Sequence, residues 1–280
     1  MARATPAAAY KRNERELWNQ FSRRYIRVAM PEFVPFGRRL IEMAGVQKGM
    51  WVLDVATGPG EPALTAARLV GRAGFVLGVD FSPAMLRAAR ARARRLGLRN
   101  VKFREMDAER LTLEGMLFDR AFCRFGLMLM PNAEGALAEM YRILVPGGRL
   151  AVAVWSTQQK VNTLGLVRRA LTKHHAFILP AGAPDFFRLG KAGAIERALQ
   201  AAGFRHVRRE RMTVEWVFKD AADFWRSMRQ GPSIKRALAK VSPSVGRAIK
   251  AEVLRSLARF VRNGKLRIPN EAVLAIATRL

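Results

Sequence analysis

The chain has 280 residues, with 50 Lys or Arg against 22 Asp or Glu, a formal charge of +28 at pH 7. Its 50% apolar content allows a substantial buried core, which excludes intrinsic disorder and a purely basic nucleic-acid tail. The charge itself admits two readings: a footprint for RNA or anionic lipid, or the Arg and Ala enrichment of a GC-rich genome.

Met1 to Tyr10 is small and Ala-rich but runs directly into Lys11, Arg12, Glu14 and Arg15, without the apolar centre of a secretory signal. No run of about 18 uncharged apolar residues predicts a membrane span. Gly49 to Val55 reads as a strand entering the turn Ala56-Thr57-Gly58-Pro59-Gly60-Glu61-Pro62, followed by a helix from Leu64 to Val70. Gly74 to Val79 is a second strand stopping at Asp80. Ser82 then caps a helix from Ala84 to Leu96, with Pro83 at its first position. Val101 to Met106 is a third strand ending at Asp107, and Phe118 to Cys123 a fourth. A helix over Ala133 to Leu144, the turn Pro146-Gly147-Gly148 and a fifth strand over Arg149 to Trp155 follow. Strands alternating with helices predict a parallel sheet covered on both faces.

In the second half, Ala192 to Ala202 is a predicted helix and Val207 to Phe218 a long strand. Helices are expected over Ala221 to Arg229, Ile234 to Lys240 and Val245 to Arg262, the last amphipathic. Glu271 to Thr278 returns to a strand pattern that needs a sheet to join. The single cysteine, Cys123, excludes an internal disulfide and a multi-cysteine zinc site. No metal site is expected, and a reducing, cytoplasmic setting fits.

Ligands of open parallel sheets sit beyond the carboxyl ends of the strands. Asp54 ends the first strand, just before Gly58 and Gly60, whose missing side chains let backbone N–H groups approach a ligand. Asp80 is placed to take both hydroxyls of a ribose, and Asp107 to accept an exocyclic adenine amine. The turn lacks the full G-x-G-x-x-G spacing of dinucleotide enzymes and the G-K-[ST] of phosphate loops. Glu61 beside it would repel pyrophosphate but suits a cationic or zwitterionic ligand. Charge therefore favours S-adenosylmethionine over NAD or ATP.

The segments VLDVATGPGEPAL (52–64), VLGVDFSPAML (76–86), FREMDAERL (103–111), FDRAFCRFGLMLMPN (118–132) and LVPGGRLAVAVW (144–155) resemble successive motifs of class I S-adenosylmethionine-dependent methyltransferases. They are most similar to the ubiquinone/menaquinone-type group of small-molecule enzymes. The resemblance implies an α/β, Rossmann-like, seven-stranded and mostly parallel sheet with helices on both faces and an antiparallel last strand. It implies one domain over 1–280, made of a helical arm (1–45), a cofactor core (46–155), a lid (156–190), a helical insertion (220–269) and a last strand (270–279). S-adenosylhomocysteine would be the product.

By the same resemblance Asp54, Ala56, Gly58, Gly60 and Met85 would surround the methionine end and floor of the cofactor. Asp80 and Phe81 would hold the ribose and adenine, and Asp107 with Ala108 would read the adenine edge. Arg124 would pair with the cofactor carboxylate or face substrate. Trp18, Tyr25, Met128, Trp155, Phe177, Phe187 and Trp225 are expected to line the substrate cover. The candidate general bases are His174 and His175, needed only if the acceptor enters protonated. Such a cover suits a small apolar or aromatic acceptor, methylated at oxygen or carbon: a phenol, quinone precursor, polyketide or lipid-like molecule. The alternatives are an RNA methyltransferase using the run from Arg87 to Arg104, a non-catalytic binding or regulatory protein, and peripheral attachment to an anionic membrane. Against RNA, CRFGLM stands where base-amine enzymes carry N/D-P-P-Y/F, and no Pro-Cys nucleophile is present.

Overall fold

The computed structural model describes residues 5–280, so residues 1–4 of the expected arm lie outside the described residues. The chain divides into two compact units, one made of Met1–Trp155, Ala181–Met212 and Val273–Leu280, the other of Ser156–Pro180 and Thr213–Ala272.

In the first unit, α1 (Pro6–Arg24) starts at Thr5, whose hydroxyl accepts from the Ala8 N–H at 3.3 Å, with Pro6 supplying a fixed φ at the first position. A π-helical turn (Tyr25–Ala29) leads into α2 (Met30–Ala44), which ends where Gly45 adopts a left-handed conformation. Then β1 (Trp51–Val55), α3 (Ala63–Val70), β2 (Phe75–Asp80), α4 (Pro83–Arg95), β3 (Val101–Glu105), β4 (Phe118–Arg124), α5 (Ala133–Arg142) and β5 (Leu144–Trp155) alternate as expected. The five strands pair in parallel. Val52, Leu53, Val76, Leu77, Phe122 and Val152 are buried completely, the near-continuous apolar character of strands covered on both faces. Further on, α7 (Ala194–Ala201) precedes β6 (Arg205–Phe218), which runs on into the second unit; the two-residue β7 (Val261–Arg262) belongs to the second unit, and β8 (Lys265–Thr278) starts there and ends in the first. The strand order is β3-β2-β1-β4-β5-β8-β6, with β7 paired to β8 off that path. Sequence order reverses between β2 and β4, on either side of β1, and a crevice at such a switch point is where open sheets bind ligands.

One expectation for this unit changes. Pro146-Gly147-Gly148, read as a turn, lies inside β5. Gly147 donates to the Arg279 carbonyl at 2.7 Å and Arg279 donates back to Gly148 at 2.9 Å, so these residues are ladder partners of the chain's end. A register shift between Phe118 and Arg120 absorbs the irregularity.

The second unit holds α6 (Asn162–Lys173), α8 (Ala221–Met228), α9 (Pro232–Leu238) and α10 (Pro243–Leu257). Asn270, fully buried, accepts from the Thr163 N–H and hydroxyl at 3.0 and 2.7 Å and so holds the start of α6. The last helix was expected to reach Arg262 but stops at Leu257, and a hairpin follows. Asn263 and Gly264 have φ of 51° and 70°, the positive pair that a two-residue hairpin turn requires. The final strand accordingly begins at Lys265, ahead of the expected Glu271.

Candidate functional site

Asp54, one residue before the end of β1, has no exposed surface. One of its oxygens accepts from the Thr57 hydroxyl at 2.6 Å and the Ala63 N–H at 3.1 Å, so the carboxylate closes the glycine turn onto the start of α3. Its other oxygen, Oδ1, is buried without a hydrogen-bond partner. Burial pushes the Asp54 pKa up to about 7, against the opposing pull of the Thr57 hydrogen bond and the Arg124 charge. Asp80, at the end of β2, accepts from the Gly58 N–H at 2.9 Å and the Ser82 N–H at 2.8 Å, and burial raises its pKa to about 6. Gly58 and Gly60 have positive φ, and so does Ala56, a conformation uncommon for a residue with a side chain. Gly126, after β4, permits that bend: a Cβ there would lie 2.5 Å from the Ala56 Cβ.

Arg124, ending β4, is 7% exposed. Its Nη2 and Nε donate to the Glu61 carbonyl at 3.0 and 3.3 Å, and its guanidinium lies 5.4 Å from the Phe33 ring centre. Nη1 is buried without a partner. Glu61 does not present the free negative charge expected of it. Its carboxylate pairs with Arg92 at 2.9 Å and accepts from the Thr65 hydroxyl at 2.8 Å. Arg92 also donates to the Pro59 carbonyl at 2.6 Å. Sequence reading grouped Arg92 with the exposed arginines of α4, yet it braces the glycine turn.

A small cavity of about 70 Å³ lies at these strand ends, lined by Ala56, Val79, Asp80, Phe81, Met106, Asp107, Ala108, Glu109, Gly126 and Leu129–Pro131. Its remaining wall is α1, through Tyr10, Lys11, Glu14 and Trp18. Ligand pockets usually span roughly 300 to 1,000 Å³, so α1 fills much of the volume a nucleoside would need. Lys11 takes the Asp107 carboxylate at 2.5 Å and Glu109 at 2.7 Å. Farther along α1, Asn19 accepts from the Ser82 hydroxyl at 2.7 Å and the Ala84 N–H at 3.2 Å. Asp107 therefore lies two residues beyond the end of β3 and already carries a cation. Sequence reading missed Tyr10, Lys11 and Glu14. With Trp18 they follow helical spacing, the signal that could have found them.

Met85 is buried in the first turn of α4, and Gly60 faces Leu64 and Ala89, so both pack beneath the cavity rather than line it. Trp155 belongs to an aromatic cluster. Its ring centre lies 4.4 Å from Phe125, 5.7 Å from Phe33 and 5.8 Å from Phe36, while Tyr25 stacks on Phe33 at 5.9 Å. Met128 is buried nearby in sequence, and its carbonyl accepts from Arg188 at 2.8 Å, next to the buried Phe187. Cys123 is fully buried and its thiol pKa is pushed up to about 12, chiefly by burial, so it is inert.

Phe177, Trp225, His174 and His175 belong to the second unit. Phe177 lies under the Arg168 guanidinium at 4.5 Å, and Trp225 is buried in α8. His174 follows α6 with its Nε2 3.5 Å from Glu252, and His175 has a φ of 51°. Among the described residues no group of His, Cys, Asp and Glu could hold a metal ion.

The residues fit S-adenosylmethionine on a specific count. A partnerless carboxylate oxygen on Asp54 and a partnerless guanidinium nitrogen on Arg124, both buried, complement the ammonium and carboxylate of an amino acid end. Asp80 and Phe81 line the cavity available to the nucleoside, which Asp54 and Arg124 do not line.

Comparison with known proteins places this geometry. Residues 46–180 match a family described as a methyltransferase domain. The chain is similar to aklanonic acid methyltransferase DauC of Streptomyces sp. strain C5, 37% identical over 51% of this chain and 66% of that protein. It is also similar to the ubiquinone/menaquinone biosynthesis C-methyltransferase UbiE of Psychromonas ingrahamii, 39% identical over 43% of this chain and 48% of that one. The matches thus span from about half to just under two thirds of the relatives' lengths. A solved structure of a candidate methyltransferase from Bacillus halodurans shares the fold, with a TM-score of 0.59 and 22% identity over 87% of this chain and 98% of that one. With this sheet order, these strand-end carboxylates and the match over residues 46–180, that stretch of the chain is a methyltransferase domain of the class I S-adenosylmethionine-dependent type.

Proposed function

We propose that this protein transfers the methyl group of S-adenosylmethionine to an oxygen or carbon of a small apolar or aromatic acceptor. The observation that carries the reading is the pair of buried, partnerless atoms on Asp54 and Arg124, one anionic and one cationic. A buried polar atom left without a hydrogen bond is costly, so one such atom on each of these two groups, near a switch point, supports a site for a ligand that carries the complementary groups.

Bound there, S-adenosylmethionine supplies a methyl group on a positively charged sulfur. Asp54 would hold the ammonium and Arg124 the carboxylate, while Asp80 would keep its Gly58 and Ser82 contacts and receive the ribose hydroxyls. Asp107 can reach the adenine amine once Lys11 gives it up. Displacement at a sulfonium carbon is in-line, so the protein's main task is to hold the acceptor close and dry. The Phe33, Phe36, Phe125 and Trp155 cluster lies beside Arg124 with its rings buried against one another, and with Tyr25 and the cavity-lining Trp18 of α1 it makes the neighbourhood apolar and aromatic, which suits a flat acceptor. Phe187, buried in the same unit, is the further residue proposed for the cover. An acceptor that arrives protonated would need a base, the role proposed for His174 or His175.

The relatives support this class, one acting on aklanonic acid and the other being a C-methyltransferase of ubiquinone/menaquinone biosynthesis. Among the described residues no helix is long and apolar enough to cross a membrane. We place the protein in the cytoplasm, where a lone buried thiol is at home. The deciding experiment is a screen of S-adenosylmethionine consumption against phenols, quinone precursors and total RNA in parallel. Turnover on a phenol or quinone precursor supports the reading. Turnover on RNA alone, or on nothing while the cofactor binds, replaces it with an RNA enzyme or a binding protein.

A further inference from the structure

The second unit contains an open cleft of about 420 Å³, lined by Leu166 and Arg169 of α6 and by Arg255, Ser256, Ala258 and Arg259 at the end of α10. This volume falls within the usual range for a small-molecule site. Three of its six lining residues are arginines and none is acidic. Arg255 and Arg259 are exposed and Arg169 is half-buried. Among the described residues none of the three enters an ion pair. The carboxylate one turn back on α10, Glu252, is already taken by Lys173 at 2.9 Å, with His174 at 3.5 Å.

This arrangement differs from the arginines scattered over the rest of the surface. Ordinary surface cations spread apart or pair with acids, since like charges held together repel. Here α6, α10 and the turn that follows α10 present them to one cleft, and desolvation lowers the Arg169 pKa, with the nearby charge of Arg259 adding to it. Planar guanidinium groups match the oxygens of a phosphoryl group, binding them through paired charge-assisted hydrogen bonds. Leu166 and Ala258 add an apolar wall, and the volume exceeds what a lone phosphate fills.

We propose that this cleft binds the phosphoryl group of a small molecule, with Arg169, Arg255 and Arg259 on the phosphoryl oxygens and Leu166 and Ala258 against the group that carries it. None of these residues belongs to the cofactor site, so failure here leaves methyl transfer untouched.

The test uses the full chain and titrates pyrophosphate by calorimetry and by thermal shift at fixed ionic strength, with chloride as the control. One saturable site is expected, and binding should weaken roughly tenfold or more in Arg169→Gln/Arg259→Gln, the loss expected for charge-assisted bonds. Because the chain carries +28, a matched pair on α4, Arg87→Gln/Arg94→Gln, removes equal charge elsewhere and should leave the affinity within about twofold. S-adenosylhomocysteine affinity unchanged in all variants confirms that they fold. A second arm separates sources: vesicles of phosphatidylcholine with and without phosphatidic acid. Pyrophosphate competing with the acidic vesicles through these arginines indicates a lipid phosphate. Pyrophosphate binding without vesicle binding indicates a soluble one. Equal weakening by the two double variants, or no saturable site, overturns the proposal.

Discussion

The ammonium of Lys11 bonds the carboxylate of Asp107 across 96 positions of sequence, which lays the first helix over a carboxylate expected to read adenine. Glu109 shares the same ammonium. Cofactor entry must therefore compete with α1. Both partners are substantially exposed, so the pair itself contributes only about 1 kcal/mol or less. Lys11→Met keeps the side chain's length and removes its charge. Stopped-flow mixing with S-adenosylhomocysteine should show association several-fold faster in this variant, with a weaker dependence on salt. An unchanged rate would mean that α1 does not gate the site.

Asp80 is expected to be the most sensitive position for cofactor affinity. Asp80→Asn keeps the shape but loses the charge that receives two backbone N–H groups and the ribose hydroxyls. Hydrogen bonds to charged groups contribute about 1.5 to 3 kcal/mol each, so calorimetry should report a loss of at least about tenfold. Retained affinity would remove Asp80 from the pocket.

Affinity should also depend on pH, with a sign fixed by burial. Asp54 and Asp80 have pKa values raised to about 7 and about 6, so part of each population is protonated near neutrality in the free protein. An ammonium beside Asp54 favours the ionised form, and binding therefore releases protons. Cofactor affinity should rise as pH increases through these values and level off above them. Calorimetry in buffers of different ionisation enthalpy would detect the released protons. Stability of the free protein runs the other way. A carboxyl with a raised folded pKa favours folding most in acid, and that contribution is lost as pH rises from the ordinary value of 3.8 to about 6 for Asp80 and about 7 for Asp54.

Gly126→Ala tests the bend at Ala56. The added methyl would stand 2.5 Å from the Ala56 Cβ and 3.1 Å from the Cys123 sulfur, both in packed surroundings. Overpacking of this kind typically costs 1 to 3 kcal/mol, roughly, and here it should also displace the cofactor turn. A lower midpoint in urea together with weaker S-adenosylhomocysteine binding is expected. Loss of stability alone would separate the packing from the site.

The alternating core was legible because its signals are local. Apolar runs stop at Asp54 and Asp80, and Ser82-Pro83 announces α4 within a few residues. The end of α10 is less legible: the amphipathic pattern through Val261 hides both its stop at Leu257 and the Asn263-Gly264 hairpin turn beyond. Residues whose roles depend on distant partners gave no such signal. Arg92 looks like its exposed neighbours until Pro59 and Glu61 are brought against it. Lys11 looks like one more cation of a basic arm until it meets Asp107. Pro146-Gly147-Gly148 resembles a turn because its ladder partner, Arg279, lies at the far end of the chain.

The burial of Asp54 and Asp80 ties the protein's lifetime to the supply of its ligand. Any molecule that binds only the folded form adds stability with its concentration, about 2.7 kcal/mol at a hundred times its dissociation constant. A fold holding two desolvated carboxylates and a partnerless guanidinium nitrogen has that margin to gain.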